Sequence, residues 1–447
     1  MRFRVVAIDL FERDVRLRMP FRFGVVTLTR APQAFARVRV RLDDGREAEG
    51  AAAELLAPKW FDKDPALSNE DNFDQLRRSL VRARDAYLAH EPRTAWGHAE
   101  PARGLVENFG PSLLDRALLD ALCRALGISF FEAIRRNLVG APAVDGIDLG
   151  TYFATLRPAA RIAARHTVGL LDPITAADCK ARVGDGLPET LEEVVARYGH
   201  RYFKLKVGGE ARADVARLAA IAAVLDRIAE PYHVTLDGNE QYEDFHGVAE
   251  LWARMKAEPR LARLAASVLF VEQPVKRQKA LAARVSGVER PVIIDESDDA
   301  LDVFPRARAL GYLGVSSKTC KGVYRALVNG ARCAAWGGGC FLSGEDLTQQ
   351  AGLALQQDTA LVSLLGLTHV ERNGHHYVNG MAGLPAAEQE AFLGAHPDLY
   401  ERSHGAVRLS IRNGMIATGS LDCAGFASGA LPDWAAMRDM KLHRESA

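Results

Sequence analysis

Three apolar runs in the second half of the chain each end on a carboxylate: Asp237 in "VTLDGN", Glu272 in "LFVEQP" and Asp295 in "VIIDES". Burying a charge is costly unless a partner needs it. One such acid alone reads as a cap on the following helix. Three in succession, on neighbouring strands, bring like charges to one point, where they repel unless a cation sits among them. Three hard oxygen donors with no nearby His or Cys pattern suit Mg2+, with water or substrate completing its octahedron. Asn239 and Glu296 stand beside two of these acids, placed to assist or orient them.

Lysines complete the constellation. In "YFKLKVG" Lys204 and Lys206 are two apart, so on a strand they face the same way and Leu205 faces the other. Beside a second ammonium and a divalent cation, a lysine loses part of its preference for the charged form and can serve as a base near neutral pH. Lys318, in "GVSSKTCKG", ends a strand four units further on, which in a ring of eight is the opposite side. A substrate held on the cation would meet Lys206 on one face and Lys318 on the other. Lys321 reads as an exposed first-turn lysine.

The elements that must position these groups follow from periodicity. "RYFKLKV", "HVTLDGN", "SVLFVEQ", "PVIIDES", "GVSSKTC" and "GCFLSGE" are short apolar runs separated by amphipathic helical stretches such as "ADVARLAAIAAVLDRIAE". Continuous apolar strands in strict alternation with helices predict a parallel sheet buried on both faces, closed as a (β/α)8 barrel of the TIM type. The active site of such a barrel lies at the C-terminal strand ends, where the three acids fall. "GTYFATL" reads as the first barrel strand and "LTHVERNGHHY" as the region of the last. "WGGGC" follows a helix pattern and precedes a strand, the reverse of a phosphate loop, and reads as a link.

Residues 1–135 read as a separate α+β capping domain, with alternating "AFARVRVRL", a turn at "DDG" and two long helical stretches. Residues 136–395 form the barrel, and 396–447 return to the cap through a hairpin turning at Asn413 and Gly414. The stretch between "GTYFATL" and "RYFKLKV" is longer than a βα connection needs, and reads as a lid or a surface elaboration.

Composition excludes other classes. The 447 residues carry 57 Lys+Arg and 57 Asp+Glu, so no net field attracts nucleic acid or an anionic membrane. The six cysteines show no close pairing and read as reduced thiols of a cytoplasmic protein. The N-terminus meets charge too soon for a signal peptide, and no apolar span of about 18 residues occurs.

With "KLK", "DGN", "VEQP", "DES" and the Lys318 strand, the chain resembles the enolase superfamily, in its muconate lactonizing enzyme subgroup. The helical stretch "PSLLDRALLDALCRALGISFFEAI" resembles that family's entry into the barrel. The resemblance implies a modified barrel under a cap completed by the C-terminal segment. It implies Asp237, Glu272 and Asp295 as Mg2+ ligands, Lys206 and Lys318 as an acid/base pair, and Lys204 as a contact to the substrate carboxylate or a tuner of Lys206. The shared step is removal of a proton next to a carboxylate through an enediolate. The outcome is racemisation, epimerisation or cycloisomerisation, with dehydration, syn-elimination or a retired metal-binding barrel as alternatives. The mandelate racemase subgroup has a His on the seventh strand; "CFLSGED" has none. Dipeptide epimerases of the subgroup carry Asp-x-Asp on the last strand, absent from "LTHVERNGHHY". There His369 and Glu371 alternate as candidates for the mouth, while His375 and His376 read as loop histidines. In the cap, Phe21, Phe23, Thr27 and Trp60 occupy places where relatives close over substrate. A small-molecule carboxylate is the expected partner, and a homo-oligomer the expected assembly.

Overall fold

The computed structural model describes residues 1–100 and 102–442. Alternating apolar residues near the N-terminus form three antiparallel strands, β1 (Phe3–Phe23), β2 (Val26–Leu42) and β3 (Glu47–Leu55). Two helices cover one face of this sheet. Asn69–Ala89 starts on a capping box between Ser68 and Asp71, and Leu105–Leu126 ends at the left-handed Gly127. The second helix lies so close to β3 that a Cβ on Gly50 would stand 2.2 Å from the Ala121 nitrogen. Between sheet and helix, Arg77 is buried with Glu12 at 2.6 Å and Asp74 at 2.9 Å.

The barrel comprises β4 (Arg161–Val168), β5 (Tyr202–Lys206), β6 (His233–Asp237), β7 (Val268–Glu272), β8 (Val292–Ile294), β9 (Gly314–Ser317), β10 (Phe341–Gly344) and β11 (His369–Glu371). All are parallel in chain order, and β11 pairs with β4 to close the ring. The (β/α)8 expectation holds, with one correction. "GTYFATL" is a helix, Leu149–Thr155, because Asp148 caps it by accepting from the Gly150 N–H. The first strand is "RIAARHTV", whose inward Arg165 and Thr167 interrupt the apolar run that marks the other strands.

The C-terminal segment also differs in detail. β12 (Tyr400–Ser403) and β13 (Ala406–Leu409) form a hairpin of their own. Asn413 and Gly414, at φ 51° and 71°, make the expected two-residue turn. Its outgoing strand β14 (Met415–Ala417) pairs with β4 of the barrel rather than with the cap. The return to the cap is made by β15 (Arg438–Asp439) on β1. The Phe426 ring, fully buried, stacks on Phe130 at 3.7 Å, while Asp120 accepts from the Phe426 N–H at 2.7 Å.

That stack anchors the segment to the helices at the junction. Phe426→Ala is expected to lower unfolding stability by about 3–5 kcal/mol. Denaturant titration checks this, and a loss below about 1 kcal/mol would show that the segment adds little.

Candidate active site

Ladder register sets the first layer at the barrel mouth: Lys206 lies opposite Asp237, and Asp237 opposite Glu272. Asp295 comes just past the end of β8, and Lys318 just past β9. From β5 to β9 is four steps round the ring, so Lys206 and Lys318 enter from opposite sides. Lys206 Nζ donates to Asp237 Oδ2 at 2.5 Å, and Lys318 Nζ to Asp295 Oδ2 at 2.6 Å. All five side chains are buried.

Lys204 stands one layer below, at the centre. Its Nζ lies 3.0 Å from Asp237, 2.8 Å from Glu272, 2.7 Å from Glu345 and 3.1 Å from Glu371. Burial disfavours the ammonium, but these four carboxylates outweigh it and raise the Lys204 pKa well above that of an ordinary lysine. Asp237 and Asp295 are likewise opposed by burial but held below the usual carboxylate range, Asp237 by Lys204 and Lys206, Asp295 by Lys318 and Lys321. Glu272 is the exception. Burial and then the like charges of Asp237 and Glu345 push its pKa well up, and neither of its oxygens receives a geometrically sound hydrogen bond. Lys204 approaches Oε2 only as an ion pair.

The donor chemistry fits a hard divalent cation: three carboxylates, one of them without a hydrogen-bond donor, in electrostatic contact with one another. Among the described residues no three His, Cys, Asp or Glu side chains are drawn together closely enough to clasp an ion as they stand. Lys204 lies between Asp237 and Glu272, and Lys318 holds Asp295. Asn239 donates from its backbone N–H to Asp237 Oδ1 at 2.8 Å and from its amide to Glu296 Oε1 at 3.3 Å. Glu296 is fully buried behind the acids, whereas Asn239 also lines the cavity at the mouth, where its Oδ1 has no hydrogen-bond partner.

The cap closes the mouth. Phe21, Phe23, Leu28, Ala57 and Trp60 wall a cavity of about 20 Å3 with Lys204, Lys206, Lys318 and residues 346–348. The Trp60 ring covers Lys318 Nζ at 4.3 Å, and Phe21 faces Lys206 at 6.0 Å. Thr27 does not join them; it is half-buried and pairs with Arg22 across the hairpin, and its neighbour Leu28 lines the cavity instead. The cap loop is tied down by Lys63, which reaches Glu296 at 3.0 Å and Glu240 at 2.5 Å, and by Arg277 donating to the Trp60 and Phe61 carbonyls.

Several sequence expectations are corrected. Lys321 is buried, not exposed, and bonds Asp298 at 3.0 Å and Ser316 at 2.8 Å. His369 lies below the mouth, stacked on Tyr202 and accepting from Arg165 at 2.7 Å, whereas Glu371 does reach the site. His375 and His376 are on a buried helical turn, Gly374–Tyr377, packed against Tyr198 and His166. The stretch 169–190 braces Arg18 through Asp185 and does not line the cavity. Glu345, Arg165, Lys63 and Asn373 were not anticipated. Glu345 follows "FLSG" as the other acids follow their strands, so the same strand-end rule finds it; Arg165 was hidden with its strand.

A closed parallel barrel with acids and lysines at its strand ends, roofed by an α+β cap, defines the class. The family model "Enolase C-terminal domain-like" matches residues 186–419. The chain is 32% identical over 321 residues to chloromuconate cycloisomerase of Pseudomonas putida, covering 71% of this chain and 73% of that enzyme. It is 25% identical over 299 residues to muconate cycloisomerase 1-2 of Acinetobacter lwoffii, covering 66% of this chain and 64% of that enzyme. The protein belongs to the enolase superfamily, in its muconate lactonizing enzyme-like subgroup. The fold is shared with dipeptide epimerase from Enterococcus faecalis V583 at a TM-score of 0.63 and 14% identity, covering 95% of this chain and 99% of that one. It is shared with muconate lactonizing enzyme from Pseudomonas fluorescens at 0.61 and 17%, covering 95% of each.

Glu345 is opposed by burial but held at about 2, from an ordinary 4.5, chiefly by Arg165 and then Lys204. A depressed folded-state value stabilises the fold above the unfolded pKa, and that stability is lost as pH falls toward the folded value. Glu345→Gln is therefore expected to be destabilised near neutrality, with the gap to wild type narrowing as pH falls from about 4.5 towards 2. Unfolding midpoints across that range check it; a constant gap contradicts it.

Proposed function

We propose that this protein is a Mg2+-dependent isomerase that removes a proton from the carbon next to a carboxylate and passes through an enediolate, as a racemase, epimerase or cycloisomerase. The observation that carries this reading is the pair of lysines entering from opposite sides of a ring of acids. The names of the relatives, two cycloisomerases among them, support the reaction type.

Asp237, Glu272 and Asp295 would hold the ion. When bound, it would supply positive charge that stabilises the enediolate and weakens the hold of Asp237 and Asp295 on their lysines. One of the two lysines, Lys206 or Lys318, would accept the α-proton and the other would return a proton on the opposite face, each positioned by the carboxylate it meets, Asp237 or Asp295. Trp60 and Phe21 cover these two amines and keep bulk water from them. Lys204 offsets charge beneath the substrate carboxylate, and Glu345 and Glu371 hold it there. We propose that Asn239 and Glu296 fix the positions of the acids.

Incubation of an enantiomeric pair of substrate acids in D2O with Mg2+ tests the assignment. Lys206→Ala and Lys318→Ala are each expected to lose α-deuterium exchange for one enantiomer by about 100- to 10,000-fold, and the double variant for both. Full exchange in the double variant would overturn it. Accumulation of an unsaturated product would move the protein to the eliminating branch of the superfamily.

A further inference from the structure

A second cavity lies where the cap helix Leu105–Leu126 meets the barrel helix Val323–Trp336. It shares no lining residue with the cavity at the barrel mouth. Its volume is about 110 Å3. An apolar cavity of roughly 150 Å3 accepts a benzene ring, so this one has room for a small ring or a short chain. Half-buried Trp96, Ala99 and Leu301 form its outer wall.

Inside, two polar groups lack a counterpart. Tyr324 is 6% exposed, and its hydroxyl has no hydrogen-bond partner among the described residues. Asp115, also 6% exposed, accepts from the Tyr87 hydroxyl at 2.7 Å, but among the described residues it has no ion-pair partner. Arg116, next to it in sequence, pairs instead with Glu54 at 3.1 Å. Burial therefore pushes the Asp115 carboxyl up to about 7, as expected of an anion without a cation. The cations in the cavity wall are engaged elsewhere: Lys321 with Asp298 and Ser316, Arg325 with the carbonyls of Asp298 and Asp299. The rings of Trp96 and Tyr324 both line the space, with centroids 4.8 Å apart. Aromatic faces attract an ammonium group and leave its hydrocarbon body in apolar surroundings.

We propose that this junction is a second ligand site, for a small primary amine with an apolar body. The ammonium meets Asp115 and donates to the Tyr324 hydroxyl, while the hydrocarbon part packs against Trp96, Ala99 and Leu301. A buried carboxylate without a counter-ion selects a cation, because a neutral ligand leaves it unpaired and an anion repels it. The site is separate from the ring of acids and lysines, so it stands independently of the proton-abstraction reading.

Benzylamine, benzyl alcohol and benzoate share one ring and differ in charge, and calorimetry near neutral pH measures their binding to the full chain. Benzylamine is expected to bind about tenfold or more tightly than either of the others. Asp115→Asn should abolish that preference. Tyr324→Phe, which removes only an unpartnered hydroxyl, should weaken benzylamine about fivefold. Both variants should keep the circular dichroism of the wild type. Lys206→Ala, at the barrel mouth, should bind benzylamine as the wild type does. Equal binding of the three compounds, tighter binding of benzoate, or no binding of benzylamine overturns the inference. So does undiminished benzylamine binding by Tyr324→Phe, or its loss in Lys206→Ala.

Discussion

A lysine ammonium enclosed by four carboxylates is a concentration of charge that water would ordinarily disperse, and the barrel mouth has to hold it dry. Lys204 is 1% exposed, and so are Asp295 and Glu371, with Asp237, Glu272 and Glu345 fully buried. Removing ions from water costs several kcal/mol each, which is recovered only where every charge meets an opposite one in good geometry. The structure meets that condition nearly everywhere: Arg165 against Glu345, Lys206 against Asp237, Lys318 against Asp295, Lys321 against Asp298. Within this set the acids outnumber the bases. Glu272 carries the deficit, as the buried acid whose oxygens lack a proper donor.

The rest of the molecule can be understood as a means of keeping those charges in place. Parallel strands deliver their last residues to one ring, and the register of β5, β6 and β7 aligns Lys206, Asp237 and Glu272 without any help from loops. The cap supplies what strands cannot: rings over the amines and a cover over the mouth. Its loop is fastened by ion pairs to Glu240 and Glu296 on the barrel side, so the roof and the acids belong to one electrostatic network. Prying up the roof therefore also disturbs the groups behind Asp237 and Asp295.

Much of this was legible in the sequence because the informative strands are short, apolar and end on a charge. "LFVEQP" announces both a buried strand and a reason for its acid. The first strand was missed for the opposite reason, since "RIAARHTV" places Arg165 and Thr167 inside the barrel, where they break the pattern that periodicity detects. Lys321 was misjudged because its position past a strand end suggests solvent, whereas Asp298, 23 residues away, and Ser316, on the strand just before it, draw it inward. Thr27 and Leu28 differ by one residue, and hairpin register decides which of them faces the cavity; only the folded β1–β2 pair, with its irregularity between Arg16 and Phe21, settles that.

Glu272 is the acid that the protein's own donors leave unserved, so calorimetric titration of Mg2+ into the wild type and into Glu272→Gln reads its role in holding a cation. One ion is expected to bind per chain of the wild type, with binding weakened at least about 10- to 100-fold in the variant. Equal binding by the two proteins, or none by either, would remove the case for a cation at this ring of acids.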